Sequence, residues 1–346
     1  MRRLRIAAVL LSICGCIYPT VHIACANPAG NGAMQDQAVG DGATIVAPWT
    51  QAECPADEVN LIAMGDWGAN NTWQKEVART LADYVGRDGT QFNAVLTCGD
   101  NMYVSLKDVY DKRWKTLFED MYDATRLNMP FYATLGNHDY EGRKDRVELA
   151  YTIAHPDSRW RLPARWYRLD LPEHRPLVSI LMLDSNRWRL RSEQWNSQLR
   201  WIDDELSRPR QAMWTICVAH HTIYSNGDHG DSSALQHDWG ALFQKHKVDF
   251  YLCGHDHSLQ HLRIKALSTS FVVCGGGGQT RKDMLRDDRG LFSRKLYGFA
   301  HLRLCADRAE LSLIDGLNGQ VVHWFTRTKT RRVGVLGNRP RISLGQ

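Results

Sequence analysis

The sequence predicts an α/β protein with one folded domain. Three observations support this prediction: short apolar runs alternate with longer amphipathic segments, period-two patterns follow near the C-terminus, and no internal repeat or linker divides the core. With 43% hydrophobic and 23% charged residues in 346, the composition is that of an ordinary globular protein.

The strand, helix, strand rhythm begins near Val59. VNLIAM and FNAVLTC are apolar runs of strand length, and TWQKEVARTLADYV between them places Trp73, Val77 and Leu81 on one helical face. Further strands are predicted at PFYATLG, LVSILMLD, MWTICVAHH, VDFYLCG and TSFVVCGGGG, with helices at SEQWNSQLRWIDDELS and SALQHDWGALFQKH.

The C-terminal part of the domain shows a different pattern. GFAHLRLCA, AELSLIDG and QVVHWFTRT alternate in period two, with turns between them. Such alternation is typical of antiparallel strands with one buried face. We therefore expect these strands at an edge of the sheet.

The N-terminus has the layout of a secretory signal. MRRLR precedes the apolar run IAAVLLSICGCIY, and Ala24-Cys25-Ala26 offers a cleavage site, so we expect a signal peptide over 1–26. Pro19 and His22 end the apolar run before the roughly 20 residues that span a bilayer, which favours export over a membrane anchor. A lipid on Cys16 or Cys25 remains an alternative. We expect a secreted or periplasmic protein.

The other boundaries follow from composition. Residues 27–57 are rich in Gly, Ala, Asn and Asp without periodicity, which is typical of a flexible leader. The folded domain is predicted over 58–328 and a basic tail over 329–346. The tail is expected to be solvated, and contact with an anionic surface is the alternative.

The net charge does not indicate nucleic-acid binding. The formal charge is +5, and removing Arg2, Arg3 and Arg5 with the signal leaves +2 (5 − 3). So weak an excess produces no strong basic field.

Nine cysteines in an exported chain raise the question of disulfides. Outside the signal peptide, five of the six lie in apolar runs, where cysteine usually behaves as a small buried hydrophobe. We expect free, buried thiols, and a disulfide involving Cys54 stays open. The six are Cys54, Cys98, Cys217, Cys253, Cys274 and Cys305.

Five polar clusters follow apolar runs, at the points where the predicted strands end. Ligands of open α/β sheets bind at the carboxyl ends of strands, so the clusters are expected to form one site. A single Asp or His of this kind is more often a helix cap or a structural side chain, and the joint occurrence of five clusters favours a metal site. The clusters are GDWG with Asp66, GDNMY with Asp100 and Tyr103, GNHD with Asn137 and His138, AHH with His220 and His221, and GHDH with His255 and His257.

The donor set indicates two metal ions. Two carboxylates, a phenol, an amide and three imidazoles are too many ligands for one first-row ion, whereas a shared carboxylate gives each of two ions four protein ligands. The phenolate favours a hard ion such as Fe(III), while the amide and imidazoles suit a divalent ion.

In this order the five clusters resemble the motifs of the purple acid phosphatases, within the calcineurin-like metallophosphoesterases. The resemblance covers roughly residues 58–280, and RWKTLFEDMYD, RVELAYTIAHPDSRWRLPARWYRLDL and LCGHDHSLQHL resemble the small, tartrate-resistant type in particular. It implies a β-sandwich of two mixed sheets flanked by helices. It also implies an acid phosphatase that hydrolyses small phosphate monoesters by in-line attack of a metal-bound hydroxide.

The resemblance implies roles for particular residues. Most metallophosphoesterases have an Asp-x-His first motif; here Gly68 stands two after Asp66, and Tyr103 takes the vacant ligand position. His138 and His229 are expected to contact phosphate and protonate the leaving group, and His221 is expected to pack or to support the ligands. The resemblance places Fe(III) on Asp66, Tyr103 and His257, a divalent iron, zinc or manganese ion on Asn137, His220 and His255, and Asp100 between the two.

Two alternatives stay open. A phosphodiesterase or nucleotide hydrolase could use the same dinuclear site, and a non-catalytic binding protein could use the same scaffold. The other histidines are interpreted as structural, and Trp67, beside Asp66, is a candidate for lining the entrance. Those histidines are His155, His174, His237, His246, His261, His301 and His323.

Overall fold

The structure is a computed structural model, and it describes residues 58–208, 212–279 and 289–329. The predicted signal peptide, the leader with Cys54, and the tail beyond Lys329 lie outside the described residues. Among those described, no helix has the length and apolar character needed to cross a bilayer.

The described residues form two mixed sheets of seven strands each, which confirms the predicted fold class. The strands are β1 (Val59–Met64), β2 (Ala94–Thr97), β3 (Phe131–Ala133), β4 (Trp160–Arg161), β5 (Tyr167–Leu171), β6 (Val178–Met182), β7 (Trp214–Val218), β8 (Phe250–Cys253), β9 (Leu259–Arg263), β10 (Ser270–Cys274), β11 (Phe292–Arg294), β12 (Gly298–Leu304), β13 (Arg308–Asp315) and β14 (Val321–Thr328).

The first sheet has the order β14-β13-β12-β1-β2-β3-β4, and the second has the order β11-β9-β10-β8-β7-β6-β5. In the first, β1, β2, β3 and β4 run parallel, while β12, β13 and β14 add an antiparallel edge, as their period-two patterns predict. In the second, β6, β7, β8 and β10 run parallel. The carboxyl ends of each parallel set therefore lie on one side of its sheet.

The helices agree with the predicted amphipathic segments, and α2 is an addition to them. They are α1 (Thr72–Val85), α2 (Lys144–Ala154), α3 (Ser192–Ser207), α4 (Ser233–Leu235) and α5 (Ala241–His246), with π-helical turns at Lys115–Glu119 and Gln236–Gly240 and a 3₁₀ segment at His138–Arg143. Asn71 caps α1, because its side chain accepts a hydrogen bond from the Gln74 backbone N–H at 2.8 Å.

Strand β6 shows how one strand serves two apolar cores. Val178, Ile180 and Met182 contribute to the larger core, which contains residues of both sheets, whereas Leu181 contributes to a second core with side chains of α3 and α5. Since successive side chains of a strand point to opposite faces, apolar residues are needed on both faces of β6, and Ser179 is the one polar residue in the strand.

Two aromatic predictions need correction. Trp67 does not line an entrance: it is fully buried and packs against Phe118, Tyr122 and Trp160, with its indole N–H donated to Asn101 Oδ1 at 3.2 Å. On α1, Val77 and Leu81 are buried as expected, but Trp73 is 44% exposed and stacks on Tyr297. Trp73 lies in the first turn, where a helical face can extend past the core.

The cysteines are mostly the buried thiols that the sequence predicts. Cys98, Cys217, Cys253 and Cys274 are free and buried. Cys305 is the exception, because it is disulfide-bonded, and its partner lies outside the described residues.

Buried neutral histidines make the fold sensitive to acid. His301 lies between the Tyr84 hydroxyl, at 2.9 Å, and Asn60 Oδ1, at 3.1 Å. Burial, with a smaller effect of Arg303, lowers the pKa of His301 to about 3, and burial lowers that of His323 to about 4. The unfolded chain therefore binds these protons more readily, so the stabilising contribution is complete above about pH 6.5 and is lost as the pH falls towards the folded values.

We expect the free energy of unfolding in urea to fall between pH 7 and pH 5 by about 2 kcal/mol for each of these histidines. His301→Gln should remove about 2 kcal/mol of that pH-dependent loss. His237→Gln is the matched control, because it makes the same substitution at a side chain that is 87% exposed. If the free energy of unfolding of His301→Gln depended on pH as strongly as that of the wild type, this imidazole would already be protonated in the folded state.

Candidate metal centre

The five polar clusters lie directly after five parallel strands. GDWG, GDNMY and GNHD follow β1, β2 and β3 of the first sheet, and AHH and GHDH follow β7 and β8 of the second. Because the carboxyl ends of the two parallel sets face the same region, side chains from both sheets meet there.

One half of the site is built around Asp66. The Tyr103 hydroxyl lies 3.3 Å from Asp66 Oδ1 and 3.1 Å from Asp100 Oδ2, and His257 Nε2 lies 3.4 Å from that hydroxyl and 3.2 Å from Asp66 Oδ1. A phenol, two carboxylates and an imidazole thus direct their polar atoms at one point.

The other half is built around His220 and shares Asp100. His220 Nε2 lies 3.4 Å from Asp100 Oδ1, 3.0 Å from Asn137 Oδ1 and 3.2 Å from His255 Nδ1. His220 is oriented by its other ring nitrogen, which lies 2.9 Å from the Cys98 carbonyl oxygen. Asp100 is therefore the one side chain common to the two groups, with Oδ2 towards the first and Oδ1 towards the second.

The charge of the site fits cations. Asp66 and Asp100 are at most 1% exposed, and among the described residues neither is paired with a lysine or arginine. Ligand atoms of Asp66, Asp100 and His220 all lie within 4.8 Å of one another. Buried carboxylates normally need a compensating positive charge, and a mixed oxygen and nitrogen donor set suits first-row metal ions.

Burial and the neighbouring ionisable groups of the site also shift the pKa values of Tyr103 and His255. Burial, followed by the charges of Asp66 and Asp100, raises the pKa of the Tyr103 phenol well above its usual value. Burial and neighbouring imidazoles, His220 first, lower the pKa of His255 well below its usual value. His255 is therefore held neutral, as a ligand must be, whereas Tyr103 would ionise only beside a cation.

Three of the converging residues have left-handed backbone conformations. The φ angles are 58° for Asp66, 50° for Asp100 and 70° for His255. This region disfavours residues with a Cβ atom and costs of order 1–3 kcal/mol each, and such residues concentrate at functional sites. The Asp66 carboxylate also accepts the His255 backbone N–H at 2.9 Å, so one left-handed residue supports another.

Gly68 stands where the common first motif would have a histidine. A Cβ atom here would lie 1.7 Å from the Asn101 carbonyl oxygen, and the Gly68 carbonyl accepts the Tyr103 backbone N–H at 3.0 Å. The segment after β2 therefore packs directly on this glycine. That contact brings Tyr103 into the site.

A buried polar network behind the site was missed by the sequence analysis. The Asp139 carboxylate accepts backbone N–H groups of Gly136 at 2.7 Å, Met102 at 3.0 Å and Asn101 at 3.1 Å, which ties the segments after β2 and β3 together. Asn101 donates to Glu148 Oε2 at 3.1 Å. Burial, with Asp100 next, raises the pKa of Asp139 to about 6. The only sequence signal was the place of Asp139 inside GNHD.

The two predicted acid residues lie at opposite halves of the site. The His138 backbone N–H donates to Asp100 Oδ1 at 2.9 Å, its Nε2 lies 4.0 Å from Asp100 Oδ2, and its side chain is 36% exposed. His229 stacks on His255, with ring centroids 3.9 Å apart, and its backbone N–H donates to the buried Asp256 at 3.0 Å. Both imidazoles border the site without belonging to the seven converging side chains.

The chain is similar to known proteins in sequence and in fold. The calcineurin-like phosphoesterase family model matches residues 59–259. Tartrate-resistant acid phosphatase type 5 of Oryctolagus cuniculus is 30% identical to this chain, and the alignment covers 68% of this chain and 77% of the relative. Purple acid phosphatase 3 of Arabidopsis thaliana is also 30% identical, and the alignment covers 78% of both chains. GAP50, the anchor in the inner membrane complex of Plasmodium, has a TM-score of 0.68 at 22% identity, covers 81% of this chain and 91% of its own, and shows the fold alone.

Proposed function

The chain belongs to the calcineurin-like phosphoesterase family, and from this premise we propose that it is a secreted acid phosphatase that hydrolyses phosphate monoesters at a dinuclear metal centre. The observation that supports this most is the meeting of seven donor side chains in two groups that share Asp100. The similarity to tartrate-resistant and purple acid phosphatases supports the same activity.

The two groups suggest which residues would hold each cation. Asp66, Tyr103 and His257 would hold Fe(III), and Asn137, His220 and His255 a divalent iron, zinc or manganese ion, with Asp100 between them. When bound, two adjacent cations lower the pKa of a water, orient the phosphate and neutralise the charge that builds on its oxygens. Metal analysis and the visible spectrum of the purified protein test this assignment, since ferric phenolate is coloured and Tyr103→Phe should remove the band.

The chain's own residues would bind the phosphate and supply a proton. His138 and His229 border the two halves of the site, and each carries an imidazole that can donate to a phosphoryl or leaving-group oxygen. Asp256 would fix His229 through its backbone, because it accepts that N–H in a buried position. Displacement at phosphorus by water then requires no side-chain nucleophile.

A poor leaving group needs this proton most. We therefore expect His229→Ala to lower kcat on an alkyl phosphate by about 10²–10³-fold, and far less on 4-nitrophenyl phosphate, whose leaving group is already a weak base. Steady-state rates on the two substrates measure the difference, and His237→Ala, at an exposed histidine, is the control. Equal losses on both substrates would contradict a role as proton donor.

The same assays separate the alternatives. Faster turnover of a bis-ester than of a monoester would favour a phosphodiesterase at this centre. An iron-free, colourless protein without turnover would instead indicate a binding protein on the same scaffold.

Export is supported by two features that are independent of the site. The N-terminal residues have the layout of a secretory signal, and the disulfide at Cys305 is typical of an oxidising compartment. N-terminal sequencing of the mature protein from the extracytoplasmic fraction tests this proposal.

A further inference from the structure

His221 lies in the wall of the site, yet the roles proposed above do not use it. Its ring centroid is 4.4 Å from that of His255 and 5.0 Å from that of His220. Its backbone is fixed, since the His221 carbonyl oxygen accepts the Tyr251 hydroxyl at 2.6 Å. The imidazole is therefore held beside the divalent half of the site.

The hydrogen bonds of Ser185 determine which ring nitrogen of His221 carries the proton. Ser185 Oγ accepts the backbone N–H of His220 at 3.2 Å and that of His221 at 2.9 Å. A hydroxyl has two acceptor positions and one donor, so both acceptor positions are used. The remaining contact, 2.8 Å to His221 Nδ1, must then be donated by the hydroxyl.

A neutral imidazole that accepts at Nδ1 carries its proton on Nε2. Within the described part of the chain, His221 Nε2 has no hydrogen-bond partner, whereas Nδ1 is engaged with Ser185. A protonated Nε2 cannot ligate a cation, because its lone pair is part of the ring. It can only donate.

We propose that His221 is a phosphate-binding residue, which donates its Nε2 proton in a hydrogen bond to a phosphoryl oxygen of the bound substrate. This inference rests on the proposed phosphatase function, and it assigns to His221 a direct contact in place of packing. Ser185 is the positioning residue, because it holds the tautomer and joins the segments after β6 and β7.

The first test does not depend on turnover. Nitrogen-15 NMR of the metal-free protein with labelled histidine should show His221 protonated at Nε2, and Ser185→Ala should allow the other tautomer. A wild-type signal from the Nδ1-protonated form would overturn the proposal. This measurement is informative even if the protein proves not to be a phosphatase.

The second test uses inorganic phosphate as a competitive inhibitor of the metal-loaded enzyme. A lost hydrogen bond to a charged group weakens binding, so His221→Phe should raise the inhibition constant about tenfold or more, with metal content unchanged. His221→Gln, whose amide keeps a donor, should recover much of the affinity and covers the case in which His221→Phe does not fold. Loss of one metal equivalent in either variant, or unchanged affinity in both, would overturn the proposal. If wild-type protein binds neither metal nor phosphate, the proposed function fails instead.

Discussion

Asp100→Asn is expected to lower phosphatase turnover by at least about 10³-fold and, at the same time, to stabilise the metal-free protein. Asp100 is the side chain shared by both groups of donors, so an amide there removes the shared negative charge. Without cations, however, that charge lies buried near the Asp66 carboxylate, and its removal should raise the free energy of unfolding by about 1–2 kcal/mol.

The design separates these effects by measuring each variant with and without metal. Thermal unfolding of chelated protein should give a higher midpoint for Asp100→Asn than for wild type, and added metal should shift the midpoint far less than in wild type. Asp157→Asn is the matched control at an exposed position and should change neither quantity. Retained turnover, or a lower midpoint in the chelated variant, would contradict this account of the charge.

Gly68→Ala is expected to destabilise the fold by about 4 kcal/mol or more, or to prevent folding, although it adds a single methyl group. The added Cβ atom would lie 1.7 Å from the Asn101 carbonyl oxygen and 2.9 Å from the Met102 Cα, both of them backbone atoms. Because the segment that carries Asp100 and Tyr103 would have to move, turnover should be lost in any protein that still folds.

Gly240→Ala is the control for this change. Gly240 has helical φ and ψ of −57° and −43°, and beyond its own helix and chain neighbours an added Cβ would meet no atom of the described residues within 4 Å. The control should be neutral or more stable by about 0.5–1 kcal/mol, because alanine loses less entropy in a helix. Urea unfolding gives the free energy of unfolding of both variants. Similar free energies for the two would show that the backbone around Gly68 accommodates the added methyl group without loss of stability.

The sequence predicted the fold well where hydrophobic period and length agree. VNLIAM corresponds to β1 residue for residue, and the amphipathic segments correspond to α1 and α3. It predicted that the donor residues would lie close together because they stand at strand ends, where the direction of parallel strands brings them to one region. Neither result required knowledge of contacts distant in sequence.

The errors arose where such contacts decide the outcome. Nothing local distinguishes a tryptophan at an entrance from Trp67, which is buried by aromatic residues from three other segments. Asp139 and Glu148 form their network only after the segments following β2 and β3 are side by side. Cys305, in an apolar run, was expected to be free, but disulfide bonding depends on a partner cysteine that the local sequence does not indicate.

The division of the donors between the sheets has a consequence for metal exchange. Asp66 and Tyr103 come from the first sheet and His257 from the second, while Asn137 comes from the first and His220 and His255 from the second. Each proposed cation would therefore be held by residues of both sheets and would link the two sheets to each other. Release of the cation would require the donor residues of the two sheets to separate. Chelators should therefore remove metal from the folded enzyme slowly, at a rate limited by opening of the protein and not by chelator concentration.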